Sequence, residues 1–434
     1  MTEDIEAGGA DSLRPLADLK RAIQRGDAGS VRQLLERHEA LRPAINEPIF
    51  GFDSPALGTA GDRPDLVDVL LEFGADPNRK SRWWAGGFHP LYNASPDVAE
   101  RLLAAGAVVD ACAAAHLDRI DLLSELLAED PRRVHERGGD GQTPLHFARS
   151  RAVVDLLLAR GADIDARDVD HRSTAAEWML DGRADLARYL VERGASADVF
   201  LASALGLSDR AMNLVREDPS RLELRTGQGA YGEQPPSSFH IYLWTIGPNF
   251  TPLETAAKFG HTAVVNALLT MASPTQRLLF ACHQGAADDA RAIVHENPHI
   301  VEQLRGANRR ALTDEAWAGN AAAVELMLAL GFDPSAPSES GPTGGNALHC
   351  ASWQGSVATV GALLAYPSGR ALVNSRENTY HGTPLSWCCH GSRNCGDPRA
   401  NHAEVARLLL AAGANRDPKL TECSDEMQKV LNAL

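Results

Sequence analysis

A short run of residues recurs along the chain and constrains the fold more than any other feature. In its clearest copy, Thr143-Pro144-Leu145-His146 opens the run, and the apolar stretch that follows ends at Gly161-Ala162. The same run returns at 251–253, 347–349 and 382–385. Recurrence of this kind is typical of stacked repeats, each of which buries its apolar face on its neighbours.

The residue types of the repeat predict a pair of helices. Thr-Pro suits a helix start, because the N–H that Pro lacks would be unpaired there anyway. Small pairs such as Ala256-Ala257 let neighbouring helices approach closely, and the Leu run 156–158 fills the core between repeats. Gly161-Ala162 ends the second helix in a left-handed conformation.

These residues resemble the ankyrin-repeat family, whose unit is about 33 residues long. The resemblance implies an all-α solenoid with hairpin fingers between successive helix pairs. Weaker copies, such as those ending at Gly74-Ala75 and Gly194-Ala195, bring the total to roughly a dozen repeats. The second half, through Thr251-Pro252-Leu253 and 382–387, is further similar to a group of uncharacterised bacterial ankyrin-repeat proteins, which implies no particular activity.

Breaks in the period divide the chain into five expected segments. They are an N-terminal tail at 1–14, degenerate repeats at 15–222, an inserted finger at 223–248, further repeats at 249–416 and a C-terminal cap at 417–434. Smaller breaks lie at 335–345, which predicts a long hairpin, and at 393–401, within the last full repeat. Long loops on a repeat scaffold often carry function.

The inserted finger is expected to be extended. Its first part, 227–236, is rich in Gly and Pro and predicts a loop, whereas Phe239–Trp244 alternates as a strand does. A strand would place His240, Tyr242 and Trp244 on one face. The sequence leaves open whether the finger closes over the concave groove of the repeats.

Composition and charge exclude several classes of function. With 434 residues and 44% hydrophobic content, the chain can bury a large core. The net charge of −15 argues against a nucleic-acid partner and favours a basic or amphipathic one. No stretch approaches the roughly 18 apolar residues of a membrane span, and seven scattered Cys indicate reduced thiols. We therefore expect a cytoplasmic protein and, with a capping helix at its C-terminus, a monomer.

Two columns of side chains are expected to face the concave groove, three residues apart on each inner helix. In the second half the pairs are Thr255 and Lys258, Phe280 and His283, Asp314 and Trp317, Cys350 and Trp353, and Trp387 and His390. Aromatic residues make up only 6% of the chain, so their concentration here predicts a ligand-binding surface. The matching pairs of the first half, such as Phe147 with Ser150, are ordinary. The alternative is that these Trp residues belong to the core.

Catalysis and metal binding are weighed separately. Asp314, His283 and His390 could supply acid–base chemistry without a cofactor, although no motif of a known reaction is present and an enzyme would be unusual for this fold. Cys388, Cys389 and His390 contain zinc-ligand types, but adjacent Cys on a helix point about 100° apart, which favours burial. No metal or cofactor is predicted. His146 and His349 are expected to be structural, bonding backbone groups of neighbouring turns.

Two hypotheses of function remain. In the first, the groove captures a protein or peptide segment on Trp317, Trp353 and Trp387, with Asp314 taking a basic or amide group. In the second, a small molecule binds in the second half beneath the finger and undergoes acid–base chemistry. The full set of candidate ligand-binding residues is Phe280, Trp317, Cys350, Trp353, Trp387, His240, Tyr242 and Trp244.

Overall fold

The chain forms helices joined by turns and fingers. The computed structural model describes residues 7–337, 344–416 and 423–433, and the side chains of all of these except 7–13 and 433. Over these ranges, extended pairing is limited to two isolated bridges, Arg167 with Thr174 and Gln234 with Ser237. The prediction of an all-α fold is therefore confirmed. None of the helices described combines the length and the apolar character that crossing a bilayer requires.

The chain divides into two compact units. The first unit comprises the residues up to Leu205 together with Thr226–Gly247, and the second comprises Gly206–Arg225 together with the residues from Pro248 onwards. Most of the inserted finger, 226–247, therefore belongs to the first unit.

The first unit is a succession of short helices. Its α-helices are Ala7–Arg25, Ala28–Arg37, Ala56–Ala60, Pro64–Glu72, Pro96–Ala104, Ala111–His116, Ile120–Glu129, Pro144–Phe147, Arg151–Ala159, Ala175–Trp178, Ala184–Glu192, Val199–Ala204 and Tyr242–Thr245. Its 3₁₀ helices are Glu39–Asn46, Gly51–Asp53, Pro90–Asn93, Pro131–His135, Gly139–Gly141 and Gly229–Tyr231. The first helix begins at Ala7, inside the segment expected to be a tail.

The second unit continues the same pattern. Its α-helices are Ser208–Glu217, Pro252–Lys258, Thr262–Leu269, Pro274–His283, Ala287–Glu296, Gly306–Arg309, Ala311–Trp317, Ala321–Ala329, Ala347–Trp353, Val357–Ala365, Pro367–Arg370, Pro384–Asn394, His402–Ala411 and Asp425–Ala433, and Pro219–Glu223 is a 3₁₀ helix. The last helix packs on His402–Ala411. Of the break at 335–345, residues 338–343 lie outside the described residues, as do 417–422 of the expected cap.

The repeated run begins and ends helices as its residue types predict. The Thr251 hydroxyl accepts the Glu254 backbone N–H, and Glu254 in turn accepts the Thr251 N–H at 2.7 Å. This reciprocal cap satisfies two donors that a helix start leaves unpaired. At the other end of a repeat, Gly161 has a φ of +89°, and the next N–H bonds back to Leu157. The helix is thus closed by the left-handed turn that a side chain would disfavour.

The two repeat histidines are structural, as expected. In His146 one ring nitrogen meets Thr143 and the other meets the Ser173 carbonyl at 3.1 Å. His349 bonds the Gly382 carbonyl at the same distance. Burial lowers the pKa of each imidazole to about 4, so both rings are neutral at pH 7 and tie one finger to the next.

The expectation of a strand at Phe239–Trp244 is wrong. The segment contains a single helical turn, Tyr242–Thr245, preceded by turns. Because a helical turn rotates successive side chains by about 100°, the three residues do not share a face. Tyr242 is completely buried, whereas Trp244 is exposed. Contacts of the segment with the rest of the first unit, described below, override the local alternation.

Candidate functional site

Some of the residues predicted to face the groove of the second unit are buried, and others reach the surface. Thr255, Cys350 and Trp387, each the first member of its pair, are buried. Phe280 is half-buried. Cys350 is fully enclosed in the hydrophobic core, so it is not a ligand-binding residue in this structure. A spacing of three residues places both members on one helical side, but the first member turns towards the neighbouring repeat.

Three of the predicted residues form a strip that reaches the surface. Trp317 and Trp353 are half-buried and stack with ring centroids 6.5 Å apart and planes inclined by 22°. The exposed His390 lies against Trp353 at 5.1 Å. Aromatic pairs in this geometry add stability beyond the area that they bury. The strip is therefore both a packing feature and an accessible apolar surface.

Trp387 belongs to the core, which corrects its assignment as a ligand-binding residue. Its side chain is 5% exposed and packs edge-on against His349 at 5.1 Å. Gly345 and Gly382 lie against the indole so closely that a Cβ atom at either position would come within about 3 Å of it. The alternative that the sequence left open, core packing, holds for this residue.

The three groups proposed for acid–base chemistry have different neighbours. His283 Nδ1 lies 2.7 Å from Glu315, and Asn320 donates to that same carboxylate at 2.8 Å. Burial opposes the charged imidazole, but the hydrogen bond and charge of Glu315 raise the pKa of His283. His390 packs on Trp353 instead. The contacts of His283 are thus with Glu315 and those of His390 are with Trp353.

Asp314 is the one candidate in the second unit whose polar atoms are left unsatisfied. Both carboxylate oxygens are buried and meet no hydrogen bond of good geometry, although the charges of Arg225 and Arg310 and the side chain of Asn249 favour the ionised form. Burial is the larger effect and raises the pKa of Asp314 to about 6. A buried carboxylate whose hydrogen bonds are poorly aligned costs stability, so stability alone does not account for Asp314.

The cysteines that suggested zinc are packed as small apolar residues. Cys388 and Cys389 are both buried in the second unit. The Cys388 Sγ lies 3.3 Å from the His402 carbonyl, and burial raises the pKa of both thiols, that of Cys389 to about 12. A thiolate, the form that binds metal, is disfavoured at both positions.

The finger residues His240 and Tyr242 are also buried, inside the first unit. His240 Nε2 lies 3.5 Å from the Glu177 carboxylate. The Tyr242 hydroxyl donates to Asp198 at 2.9 Å, and that of Tyr231 donates to the same carboxylate at 2.8 Å. These contacts fix the finger on the first unit and remove His240 and Tyr242 from any ligand surface. Of the three predicted finger residues, only Trp244 remains accessible.

A cavity of about 970 Å³ lies in the first unit, beside Trp244. Its apolar walls are Phe52, Trp83, Phe88, Phe147, Trp178 and Trp244. The rings contact one another around it, with Phe52 5.1 Å from Trp83 and 5.6 Å from Phe88. Arg149 and Arg183 also line the cavity. A cavity of this size, with aromatic walls beside polar and charged groups that can orient a guest, has the composition of a binding site.

The acidic part of the cavity consists of Asp140, Asp170 and His171. The His171 Nε2 atom lies 3.9 Å from Asp140 and 3.6 Å from Asp170. The imidazole is also packed edge-on by Trp178 at 5.2 Å and by Trp244 at 4.7 Å. Burial, together with the charges of Asp170 and Asp168, raises the pKa of Asp140 to about 7, against the opposing effect of His171.

Comparison with known proteins gives the fold a name. The ankyrin-repeat family model matches residues 140–169, which include the acidic cluster's Asp140. The fold is an ankyrin-repeat stack. The chain is also 32% identical over 107 residues to the mouse protein "Ankyrin repeat and SAM domain-containing protein 6", and 31% identical to its rat counterpart. The match covers 24% of this chain and 12% of those relatives.

The ankyrin register explains why these residues meet although the sequence did not single them out. Asp140 and His171 both lie three residues before the helix-capping threonines, Thr143 and Thr174, of consecutive repeats. They therefore occupy equivalent positions on adjacent fingers. The predicted groove columns contain only residues of the inner helices, so they do not include finger residues such as Trp83. The sequence does contain one indication of this cluster, which is that an Asp and a His stand at equivalent positions in two consecutive fingers.

Proposed function

We propose that the protein is a recognition scaffold and that the cavity of the first unit receives a segment of a protein partner. Ankyrin repeats are in general modules of protein–protein interaction. The observation that carries the proposal is the cavity of about 970 Å³ walled by six aromatic side chains. Aromatic residues dominate the energetics of interfaces because they bury a large area at a small cost in conformational entropy.

The charge of the chain favours a particular class of segment. The net charge of −15 creates a field that attracts cationic partners and speeds their association. The cavity lining carries three carboxylates, Asp140, Asp170 and Asp181, against two guanidinium groups, those of Arg149 and Arg183. We therefore propose a segment with an aromatic or aliphatic anchor residue in a basic context.

The test is selection from a displayed library of random peptides, followed by affinity measurement on the Trp244→Ala variant. We expect enriched peptides to share an apolar anchor flanked by Lys or Arg. Their affinity should fall at least tenfold, about 1.4 kcal/mol, in Trp244→Ala, because this side chain is a cavity wall. Trp244 is 57% exposed, so the variant should keep its thermal stability.

Trp84→Ala is the matched control. Trp84 is 46% exposed and its ring lies 6.2 Å from that of Trp83, yet it does not line the cavity. Its removal should leave peptide affinity unchanged. Equal losses in the two variants, or no enrichment of any peptide, would refute the proposal that this cavity is the binding site.

A second candidate function is a small-molecule site in the second unit, and Asp314 favours it. A buried carboxylate without a well-aligned hydrogen bond is a feature that selection for stability alone would not favour. The neighbouring strip of Trp317 and Trp353 would supply an apolar wall for such a ligand. In this second function Asp314 would bind a cationic group or exchange a proton.

The Asp314→Asn variant distinguishes a functional from a structural carboxylate. In the unfolded chain Asp314 ionises near pH 3.8, whereas in the folded chain it keeps its proton up to about pH 6. Wild-type stability should therefore fall as pH rises through this window, by about 3 kcal/mol at most. Asn carries no charge, so denaturant unfolding should show the variant gaining on wild type from pH 4 to pH 8. A variant that loses stability equally at both pH values would show a structural carboxylate and sink this candidate.

We also propose a cytoplasmic, monomeric protein. None of the seven cysteines, all of which lie in the described part of the chain, forms a disulfide bond, and six of them are buried. Such thiols are typical of proteins kept in a reducing compartment.

A further inference from the structure

The acidic cluster of the first unit has the arrangement of three ligands around one point. The donor atoms of Asp140, Asp170 and His171 all lie within 4.8 Å of one another. Two ligand atoms bound to the same zinc ion in a tetrahedral site are about 3.4 Å apart, given metal–ligand distances near 2.1 Å. The distances of 3.9 and 3.6 Å from His171 Nε2 to the two carboxylates need to shorten only slightly to reach that value.

The finger insertion holds two of these groups in a ligating orientation. The His171 Nδ1 atom lies 2.8 Å from the Phe239 carbonyl, which can only accept, so in the neutral imidazole Nδ1 carries the proton and the Nε2 lone pair faces the carboxylates. The Ser238 backbone N–H donates to Asp170 Oδ1 at 3.1 Å, while the other oxygen of Asp170 faces His171. Metal-binding histidines and carboxylates are generally fixed in this way by hydrogen bonds from outside the site.

The third group provides an independent observation. The Asp140 side chain is 9% exposed, and its Oδ1 atom is buried without a hydrogen bond. The indole N–H of Trp83 is close enough to favour the charge on Asp140, but it too is buried and unpaired in geometry. A carboxylate oxygen enclosed with no donor other than one poorly aligned N–H is costly unless something positively charged accompanies it.

We propose that Asp140, Asp170 and His171 bind one divalent metal ion of the zinc and manganese class. One imidazole with two carboxylates suits these ions, whereas Ca²⁺ and Mg²⁺ prefer oxygen ligands alone. The three residues also line the large cavity, so positions of the ion that the protein leaves free would face it. The ion would link two consecutive fingers, since Asp140 comes from one finger and the other two ligands from the next.

A second group of two carboxylates and one histidine lies in the other unit, but its members are hydrogen-bonded to each other or to neighbouring groups. The donor atoms of Glu254, His283 and Glu315 are also within 4.8 Å of one another. However, His283 and Glu315 are hydrogen-bonded to each other at 2.7 Å, and Glu254 accepts two hydrogen bonds from Thr251. Those groups satisfy one another without an ion, so they carry no metal proposal.

The experiment is a calorimetric titration of the EDTA-dialysed full-length chain with Zn²⁺, together with Co²⁺ absorption spectroscopy to report the ligand set. We expect one equivalent of Zn²⁺ to bind and to raise the melting temperature. Asp140→Asn should weaken binding at least tenfold, and His171→Ala should abolish it. Asp140→Asn keeps the shape of the side chain, and Oδ1 makes no hydrogen bond of good geometry, so this variant remains informative even if His171→Ala fails to fold.

Asp181→Asn serves as the control, because Asp181 lines the same cavity outside the three-residue group. Its Zn²⁺ affinity should equal that of wild type. The proposal is overturned if wild type binds no stoichiometric ion, or if Asp140→Asn and Asp181→Asn bind Zn²⁺ as wild type does. No peptide is present in this titration, so its outcome is independent of the proposed recognition function.

Discussion

Replacing Trp387 by Ala is expected to lower the free energy of unfolding of the second unit by about 3–5 kcal/mol. The indole is 5% exposed and fills the space between Gly345, Gly382 and His349. Neither glycine can supply a side chain to occupy the void, so the cavity left behind would collapse only in part. The loss should appear as an earlier denaturant midpoint, followed by far-UV circular dichroism.

Trp353→Ala is the matched variant for this measurement. Trp353 contacts Trp387 at 6.1 Å and Trp317 at 6.5 Å, but it is half-buried and borders solvent, which can fill the space that it leaves. Its replacement should cost clearly less than that of Trp387. A larger loss for Trp353 than for Trp387 would mean that the exposed strip, and not the buried indole, stabilises these repeats.

The Asp198→Ala variant should destabilise the first unit by a similar amount, about 3–5 kcal/mol. Asp198 caps the helix Val199–Ala204 through the Leu201 N–H and accepts the hydroxyls of both Tyr231 and Tyr242. Truncation removes a helix cap worth about 1 kcal/mol. It also leaves the half-buried Tyr231 hydroxyl without its acceptor and the buried Tyr242 hydroxyl with only a 3.4 Å contact to Glu177, so each should cost about 1–2 kcal/mol, the lower part of the range for an unpaired buried hydroxyl. Thermal and denaturant unfolding would both report the loss.

Two milder substitutions separate the contribution of the helix cap from that of the tyrosine hydrogen bonds. Asp198→Asn retains an oxygen for the cap and for one hydroxyl, so it should lose less than half as much as Ala. Tyr231→Phe removes one donor but keeps the ring that packs edge-on against Phe200 at 5.0 Å, so its cost should be the smallest of the three. If Asp198→Ala unfolds at the same denaturant concentration as wild type, the network does not hold the finger in place.

Local chemistry made the fold predictable. The Thr251–Glu254 cap, the left-handed Gly161 and the structural His146 all depend on residues within one repeat or its neighbour, and the sequence contains that information directly. The strand expected at Phe239–Trp244 failed for the opposite reason. Its conformation depends on Glu177 and Asp198, which lie more than forty residues earlier in the chain.

The candidate site was less accessible to sequence reasoning. Helical periodicity placed Cys350 and Trp353 on one side of a helix, but it could not decide which of them the next repeat covers. Finger positions carry no such periodicity. Asp140 and His171 become neighbours only once the two repeats are aligned on their capping threonines, and the orientation of His171 further requires Phe239 from the insertion.

The path of the chain between the two units has an evolutionary consequence. Because residues 206–225 belong to the second unit and 226–247 to the first, the backbone passes from one unit to the other three times. A gene fragment ending at Leu205 would encode Glu177 and Asp198 without the tyrosines and histidine that pair with them. A fragment that carries one unit complete must therefore also carry a piece of the other: 1–247 includes residues 206–225 of the second unit, and 206–434 includes residues 226–247 of the first. Recombination at a single point in the gene cannot separate the two units cleanly.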